Sequence, residues 1–403
     1  MLYRVEIENF FSIREPQVID LRVNRSAEDS SGRLAPLWRG SGEAAPKVVA
    51  LFGANAAGKT NVLKALTFLV WFIRQSFKEA PGARLPVDRF NDPETLRAPT
   101  RFAVHFGGPE DISRSDQADA PQCGYVYEVS IGPGPTPSVL HEALHYRPSG
   151  TARRVALFER RGEGTVTAGK AFGLASYRPA LSKILRPEVS VVSTLAYLNH
   201  PYSRLLWDAA GTIQGNIVFD RVEFNEHALI GFYADRPEFI NKFNQTVGRI
   251  DLGIQSMEVS LGRQGPEAKF THHGLAVPMP LQYQSHGTRQ FLKLFPLLAE
   301  TLDTGGIAIM DELDAAIHPM LLPEIVRWFH DPERNPHDAQ LWMTCHAASL
   351  LEDLTKEEVL FCEKDARGQT HVYGLRDIQG VRRTDNFYKK YLGGMFGAVP
   401  QLG

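Results

Sequence analysis

The sequence predicts an α/β protein with a mainly parallel central sheet. In the last third of the chain, strand-like and helix-like segments alternate, from a helix after Gly287 through "IAIMDE" and "QLWMTCH" to "EVLFCEK". Near the N-terminus, "VVALF" is a short continuous apolar run, which is typical of a strand buried on both faces. Residues 60–77 follow with apolar side chains at helical spacing.

Three regions of different pattern divide the 403 residues. Residues 1–175 begin with the strand "LYRVEIENF" and continue as a β-rich region, which predicts one half of the α/β domain with a β subdomain. Within it, residues 25–47 are rich in Gly, Ser, Pro and charge, which predicts a surface excursion. Residues 176–274 have a mainly helical texture and predict a helical lobe, ending in a hairpin. Residues 275–403 return to strand–helix alternation and predict the other half of the α/β domain.

Bulk composition restricts the protein class. Apolar residues make up 43%, charged residues 22%, and the net charge is −2, so the chain as a whole is no electrostatic nucleic-acid binder, although local basic patches stay possible. Cys123, Cys345 and Cys362 form neither a zinc-type spacing nor an even disulfide framework, which favours a reducing compartment. The N-terminus lacks the apolar core of a signal peptide, and no apolar stretch is long enough to span a bilayer. We therefore expect a cytoplasmic protein without membrane association.

The stretch "GANAAGKT" matches the phosphate-loop pattern G-x-x-x-x-G-K-[ST] in full, and it lies between a predicted buried strand and a predicted helix. In such a loop, main-chain N–H groups surround phosphate oxygens, the lysine reaches the β- and γ-phosphates, and the hydroxyl ligates Mg²⁺. The pattern predicts binding of a nucleoside triphosphate. The residues expected to contact it are Gly53, Asn55, Ala56, Ala57, Gly58, Lys59, Thr60 and Asn61.

An acidic pair, Asp311 and Glu312, follows the apolar run "IAIM". Ligands bind at the carboxyl ends of strands in open α/β sheets. We therefore expect Asp311 to hold Mg²⁺ together with Thr60, and Glu312 to orient and deprotonate the attacking water. Two adjacent carboxylates on a loop are otherwise ordinary solvated charge.

A histidine ends the next predicted strand, "LWMTCH". His346 could donate a hydrogen bond to the γ-phosphate and so take part in catalysis, or it could merely cap a helix. His318, before Pro319, is equally compatible with a structural role and with a dimer-facing one.

The loop "SHGT", residues 285–288, precedes another predicted helix. In the simpler interpretation, Ser285 or Thr288 caps an amphipathic helix. In the other, Ser285 and Gly287 present donors at a helix N-terminus to an anion.

The motifs "IENFFSI", "GANAAGKT", "SHGT", "IMDE", "HP" and "TCH", in this order, resemble the ABC-type ATPases of the RecF/SMC branch. More closely, the chain looks like compact stand-alone ATPases of prokaryotic abortive-infection and anti-phage systems, of the RloA/AriA type. The resemblance is specific over residues 1–62 and 280–400. It implies a P-loop NTPase fold of the ABC/RecF-like head type, with an N-terminal antiparallel β subdomain and an inserted helical lobe.

The resemblance also implies site roles. Gly53, Gly58, Lys59 and Thr60 correspond to Walker A, Asp311 and Glu312 to Walker B, His346 to the switch histidine, Ser285 and Gly287 to the signature loop, and residues 314–318 to the D-loop. The signature departs from Ser-Gly-Gly-Gln, since His286 and Thr288 take its second and fourth positions. No glutamine can be assigned to a Q-loop.

The implied activity is ATP hydrolysis with ATP and Mg²⁺ bound. Two heads would pack face to face as a homodimer, each ATP lying between one phosphate loop and the other copy's signature, with larger assemblies of dimers left open. The output would pass to a separate effector, a nuclease or toxin, in anti-phage defence. Two alternatives stay open: a RecF-like DNA-binding ATPase of DNA repair, and a slow-turnover scaffold held together by nucleotide.

Overall fold

A computed structural model describes residues 1–24, 31–134, 137–151, 153–162, 165–217, 225–250, 253–262, 265–317 and 321–399. The described strands, numbered in chain order, are β1 (Leu2–Glu8), β2 (Gln17–Asp20), β3 (Val23–Asn24), β4 (Leu34–Pro36), β5 (Glu43–Pro46), β6 (Val48–Phe52), β7 (Thr100–Pro109), β8 (Gln122–Ile131), β9 (Val139–Arg147), β10 (Val155–Arg161), β11 (Thr165–Ala168), β12 (Ile213–Gly215), β13 (Ile254–Gly262), β14 (Gly265–His272), β15 (Met279–Pro280), β16 (Ile307–Met310), β17 (Gln340–Thr344), β18 (Val359–Lys364) and β19 (Thr370–Gly374). The described helices are α1 (Lys59–Arg74), α2 (Arg178–Ile184), α3 (Val191–Tyr197), α4 (Pro201–Gly211), α5 (Glu226–Asp235), α6 (Pro237–Ile250), α7 (His286–Thr304), α8 (Leu313–Ala316), α9 (Leu322–His330) and α10 (Phe387–Leu392).

The central sheet has the strand order β12-β16-β17-β6-β18-β19, in which every neighbouring pair is parallel except β18 with β19. All residues of β6 and β17 are buried, because helices or a second sheet cover both faces. Alternate side chains enter different cores: Val49 and Leu51 belong to one, and Val48, Ala50 and Phe52 to the other. The predicted mainly parallel sheet is confirmed.

A seven-stranded antiparallel sheet, ordered β11-β10-β9-β8-β7-β1-β2, forms the predicted N-terminal β subdomain. Its apolar face includes Tyr125, Tyr127 and Val129 and packs into the same core as α1, α3 and α4. The subdomain and the phosphate-loop helix therefore share one hydrophobic core.

The predicted surface excursion over 25–47 is wrong for the residues described there. β3, β5 and β4 form a small antiparallel sheet in which Ala44 and Ala45 are buried, and Leu37 after it is buried too. Gly40 and Gly42 lie in the turn between β4 and β5, whereas Pro36 and Pro46 end these strands. Packing against the seven-stranded sheet supplies burial that local composition does not reveal. Residues 25–30 lie outside the described part of the chain.

The region 176–274 supplies helices to both faces of the central sheet. α3 and α4 contact α1 in the first core, whereas α5 and α6 pack on the β13–β14 hairpin in the second. Between these two groups, β12 joins the central sheet beside β16. The domain boundaries at 175 and 275 stay predictions. The segment after His346, where the sequence allowed a capped helix, forms only a 3₁₀ turn, Ala348–Glu352.

Within the described residues, no helix combines the length and the apolar composition needed to cross a bilayer.

Candidate active site

The phosphate loop connects β6 to α1 with a backbone that only certain residues can adopt. Gly53 has φ 148° and Gly58 has φ 99°. A Cβ at Gly53 would lie 2.2 Å from the Cys362 carbonyl oxygen, and one at Gly58 would lie 2.1 Å from Thr370 Oγ1. Both glycines are therefore required by close packing as well as by conformation. Asn55 and Ala56 form the exposed tip, whereas Ala57 is buried.

Lys59 opens α1 and is buried beneath the loop. Its Nζ donates to the carbonyl oxygens of Gly53 at 2.8 Å and Ala54 at 3.0 Å. Burial lowers the pKa of this ammonium, while the nearby carboxylates of the acidic pair oppose the shift. The lysine is thus held at the base of the loop, close to the acidic pair.

Asp311 joins three elements through one oxygen. Its Oδ1 accepts from Thr60 Oγ1 of α1 at 2.9 Å and from Thr344 Oγ1 of β17 at 2.8 Å. Asp311 is only 4% exposed, so these hydrogen bonds lie largely out of water. The Asn216 side chain fixes the Asp311 backbone, accepting from its N–H at 2.7 Å and donating to its carbonyl oxygen at 2.9 Å.

Glu312 follows with a left-handed backbone, φ 48°, which is uncommon for a residue other than glycine and marks local strain. Its N–H donates to Thr344 Oγ1 at 2.7 Å, which holds the turn against β17. The Thr344 hydroxyl therefore orders both members of the acidic pair.

His346 follows β17 and is exposed. Its main-chain N–H and that of Ala347 both donate to Asp314 Oδ2, at 2.7 and 2.6 Å. Asp314 lies on α8, immediately after the acidic pair, so it joins the two strand ends that carry Glu312 and His346. His318 lies outside the described residues.

A hydroxyl cluster supports the phosphate loop from behind. Asn61 Nδ2 donates to Ser12 Oγ at 2.6 Å, and the Ser12 and Thr370 hydroxyls are 2.7 Å apart. Thr370 Oγ1 also donates to the Ala57 carbonyl oxygen at 2.8 Å. Asn61 thus faces this support, so a direct contact of its amide with nucleotide stays a prediction.

Sequence patterns did not reveal four of these residues: Ser12, Asn216, Thr344 and Thr370. Thr344 could have been recognised from the sequence, because it ends the predicted strand that precedes His346 and lies two residues before that histidine. Asn216 and Thr370 had none, since their partners lie 95 and 313 residues away in the chain.

Ser285 caps α7, because its Oγ accepts from the Thr288 N–H at 3.1 Å. Its hydroxyl also lies 2.9 Å from Thr288 Oγ1. Ser285 and His286 are exposed, and a Cβ at Gly287 would meet nothing closer than Ser285 Oγ at 4.0 Å. The capping interpretation is therefore correct, and the helix N-terminus also faces open space. The structure brings Lys59, Thr60, Asp311 and Glu312 close together. The hydrogen bonds of Ser285, by contrast, stay within its own helix.

One protein-family model matches residues 194–352, with the description "AAA domain, putative AbiEii toxin, Type IV TA system". The matched region contains Ser285, the acidic pair and His346, and the phosphate loop precedes it. No curated protein matches the chain.

Several solved structures of SMC heads are similar. An SMC head bound to the C-terminal winged-helix domain of ScpA is 14% identical, covers 93% of this chain and 97% of that one, and has a TM-score of 0.47. The Thermotoga maritima SMC head domain is 13% identical, with coverages of 93% and 98% and a TM-score of 0.40. A Pyrococcus furiosus SMC head with an extended coiled coil, bound to the C-terminal domain of ScpA, is 14% identical, with coverages of 93% and 96% and a TM-score of 0.43.

The family match supplies a domain type for residues 194–352, and the hydrogen bonds show how the site residues are arranged. A phosphate loop between a buried strand and a helix, an acidic pair hydrogen-bonded to it, and a Ser-His-Gly-Thr loop at the start of α7 occur here in one chain. Residues 194–352 thus match an AAA domain, and the phosphate loop with the acidic pair gives the chain the site of a P-loop NTPase.

Proposed function

We propose that this chain hydrolyses ATP, dimerises around two ATP molecules and thereby regulates a separate effector in prokaryotic anti-phage defence. The observation that carries the enzymatic part is the shared Asp311 carboxylate. It hydrogen-bonds the Thr60 hydroxyl of the phosphate loop and the Thr344 hydroxyl of β17, and Glu312 comes one residue later. Residues for binding phosphate, holding metal and activating water therefore lie at one sheet edge.

The residues present fit a magnesium ion. Thr60 Oγ1 and Asp311 Oδ1 are 2.9 Å apart, and hydroxyl and carboxylate oxygens are the hard ligands that Mg²⁺ prefers. Thr60 and Asp311 would hold the ion. When bound, Mg²⁺ neutralises charge on the β- and γ-phosphates.

The phosphate loop would bind the triphosphate through main-chain N–H groups at the N-terminus of α1. Lys59 exchanges its two carbonyl acceptors for phosphate oxygens, so its charge is available when ATP enters. Burial of this ammonium strengthens its attraction for phosphate, because the local dielectric is lower than in water.

Glu312 is the proposed general base. Its backbone is fixed by Thr344, so its carboxylate can accept a proton from a water molecule that attacks the γ-phosphorus. His346 is the proposed γ-phosphate donor, and Asp314 holds its main chain while the imidazole stays exposed.

The exposed N-terminus of α7 supports the dimer proposal. Ser285 and Gly287 leave open space in front of a 19-residue helix, and a helix N-terminus favours anions. The γ-phosphate bound by a second copy would complete that site. ATP would then hold two copies together, and hydrolysis would release them.

The effector proposal rests on family resemblance, not on residue chemistry. The matching family is described by reference to an AbiEii toxin and a type IV TA system, and the motif order resembles that of abortive-infection ATPases. We therefore place the nuclease or toxin activity in another protein, whose release or activation follows the ATP cycle of this one.

Phosphate release from ATP by the wild type and by Glu312→Gln tests the enzymatic part. We expect steady turnover from the wild type and a loss of at least about a hundredfold in kcat from Glu312→Gln, with ATP binding retained. Equal rates for the two proteins would contradict the proposal.

A further inference from the structure

A polar pocket of about 220 Å³ lies at the polar face of the seven-stranded sheet. It shares no lining residue with the candidate active site. Its walls carry four arginines and three aromatic side chains, together with one histidine and one glutamate. Basic and aromatic groups in one recess are the combination that binds phosphate and a planar ring together.

Trp38 packs over two glycines of the sheet and forms one wall of the pocket. Gly107 of β7 and Gly124 of β8 face each other in register, and Gly124 pairs in turn with Arg147 of β9. A Cβ at Gly107 would lie 2.8 Å from Trp38 Cβ, and one at Gly124 would lie 3.2 Å from the indole ring. The Tyr3 ring lies 6.0 Å from the Trp38 ring, so the aromatic groups are close together. The absence of side chains at these two glycines lets Trp38 pack directly against the sheet, where it lines the pocket.

Two of the four arginines are already neutralised. Arg4 pairs with Glu6 at 2.8 Å and with Asp20 at 3.2 Å, and Arg22 pairs with Asp20 at 2.6 Å. These ion pairs rigidify one side of the pocket but offer little charge to a ligand.

The other two arginines are the cations available to a ligand. Arg154 approaches Glu128 only at 3.5 Å. Arg147 is exposed and has no carboxylate within 4.0 Å in the part of the chain that the structure describes. An incoming phosphate would gain charge-assisted hydrogen bonds here without breaking a close ion pair.

The arginines also act electrostatically on His105 and Tyr3, which line the pocket. Burial, followed by Arg154, lowers the pKa of His105 to about 4, although Glu6 opposes the shift. Burial raises the pKa of Tyr3 to about 12, while Arg22, Arg147 and Arg154 favour its phenolate and oppose the rise. His105 is therefore a neutral hydrogen-bonding group near pH 7. The positive charge of the arginines acts on both His105 and Tyr3.

We propose that this pocket binds a phosphorylated planar ligand with the chemistry of a nucleoside monophosphate. Arg147 and Arg154 bind the phosphate, and the ring packs against Trp38. Glu43, also in the wall, accepts hydrogen bonds from an amino or hydroxyl group of the ligand. A free nucleotide and the phosphorylated end of a nucleic-acid strand share this chemistry.

Calorimetric titration tests the proposal in a full-length Lys59→Ala background, which weakens phosphate binding at the phosphate loop. The probes are AMP, inorganic phosphate, and a tetra-adenylate with and without a 5′-phosphate. Arg147→Ala/Arg154→Ala should weaken AMP binding by at least about tenfold, because it removes both available cations. The matched control, Arg101→Ala/Arg161→Ala, removes the same charge from the same sheet outside the pocket and should leave AMP affinity within about twofold.

Trp38→Leu should weaken AMP binding at least about fivefold, because it removes the stacking surface, and should leave inorganic phosphate unaffected. Tighter binding of the 5′-phosphorylated tetra-adenylate than of AMP assigns the ligand to a strand end, and the reverse order assigns it to a free nucleotide. Absence of AMP binding, AMP binding equal in the two double variants, or insensitivity of AMP to Trp38→Leu would each overturn the proposal. Unchanged circular dichroism of every variant checks that each remains folded.

Discussion

Asp314 Oδ2 accepts the main-chain N–H of His346 at 2.7 Å, which joins the segment after the acidic pair to the loop that carries the histidine. The same oxygen accepts from Ala347 at 2.6 Å. One carboxylate therefore sets the relative position of two strand ends of the central sheet.

The first prediction concerns this carboxylate. Asp314→Ala removes two charge-assisted hydrogen bonds, so the His346 loop shifts and kcat for ATP falls roughly tenfold or more, with little change in KM. Asp314→Asn retains an acceptor and should recover part of kcat. The exposed Asp353→Ala is the matched control and should behave as the wild type in steady-state assays. If Asp314→Ala keeps the kcat of the wild type, Asp314 does not position the His346 loop for catalysis.

The second prediction concerns Thr344. Thr344→Val keeps the side-chain shape but leaves the Glu312 N–H without its acceptor and Asp311 without one donor. Unfolding free energy should fall by about 1–3 kcal/mol in urea denaturation, and ATP turnover should fall with it. Thr344→Ser restores the hydroxyl and should restore turnover. If Thr344→Val and Thr344→Ser are equally active, the hydroxyl does not order the acidic pair.

The third prediction contrasts two glycines. Gly58→Ala places a methyl group 2.1 Å from Thr370 Oγ1 in a left-handed backbone, so ATP binding should be lost. Thr370→Ala in the same chain relieves the contact but not the φ of 99°, so it should not restore binding. Gly287→Ala enters open space inside α7 and should raise helix stability by up to about 1 kcal/mol. Isothermal titration and thermal denaturation distinguish these outcomes.

The fourth prediction concerns pH. The pKa of buried His105 is lowered from 6.5 to about 4, so between these values the unfolded chain binds a proton that the folded chain does not. The stability contributed by this neutral histidine is present above pH 6.5 and is lost as pH falls toward 4. His105→Gln should therefore show a smaller decrease in unfolding free energy over this range than the wild type. The exposed His371→Gln should follow the wild type, and a His105→Gln profile that does so as well would refute this assignment.

The sequence predicted those features that depend on contiguous residues. The buried strand "VVALF", the phosphate loop and the acidic pair are local patterns, and the structure places them at one sheet edge. Ser285 was correctly placed at a helix start for the same reason.

Features that depend on distant pairings could not be predicted. Thr370 supports Ala57 from 313 positions away, and nothing in either local sequence indicates the partner. Burial of Ala44 and Ala45 comes from tertiary packing, whereas local composition indicated a surface loop. The arginine and tryptophan pocket likewise brings residues from five strands and their loops together, each of which resembles ordinary surface when read alone.

In the proposed dimer, ATP holds two copies together through Ser285 and Gly287. Light scattering of Glu312→Gln tests it most directly, because this variant should retain ATP and so accumulate the dimer. We predict the mass of a monomer without nucleotide, twice that mass with ATP and Mg²⁺, and a monomer again when Ser285→Arg is added. A mass that changes neither with ATP nor with Ser285→Arg would contradict dimerisation through this loop.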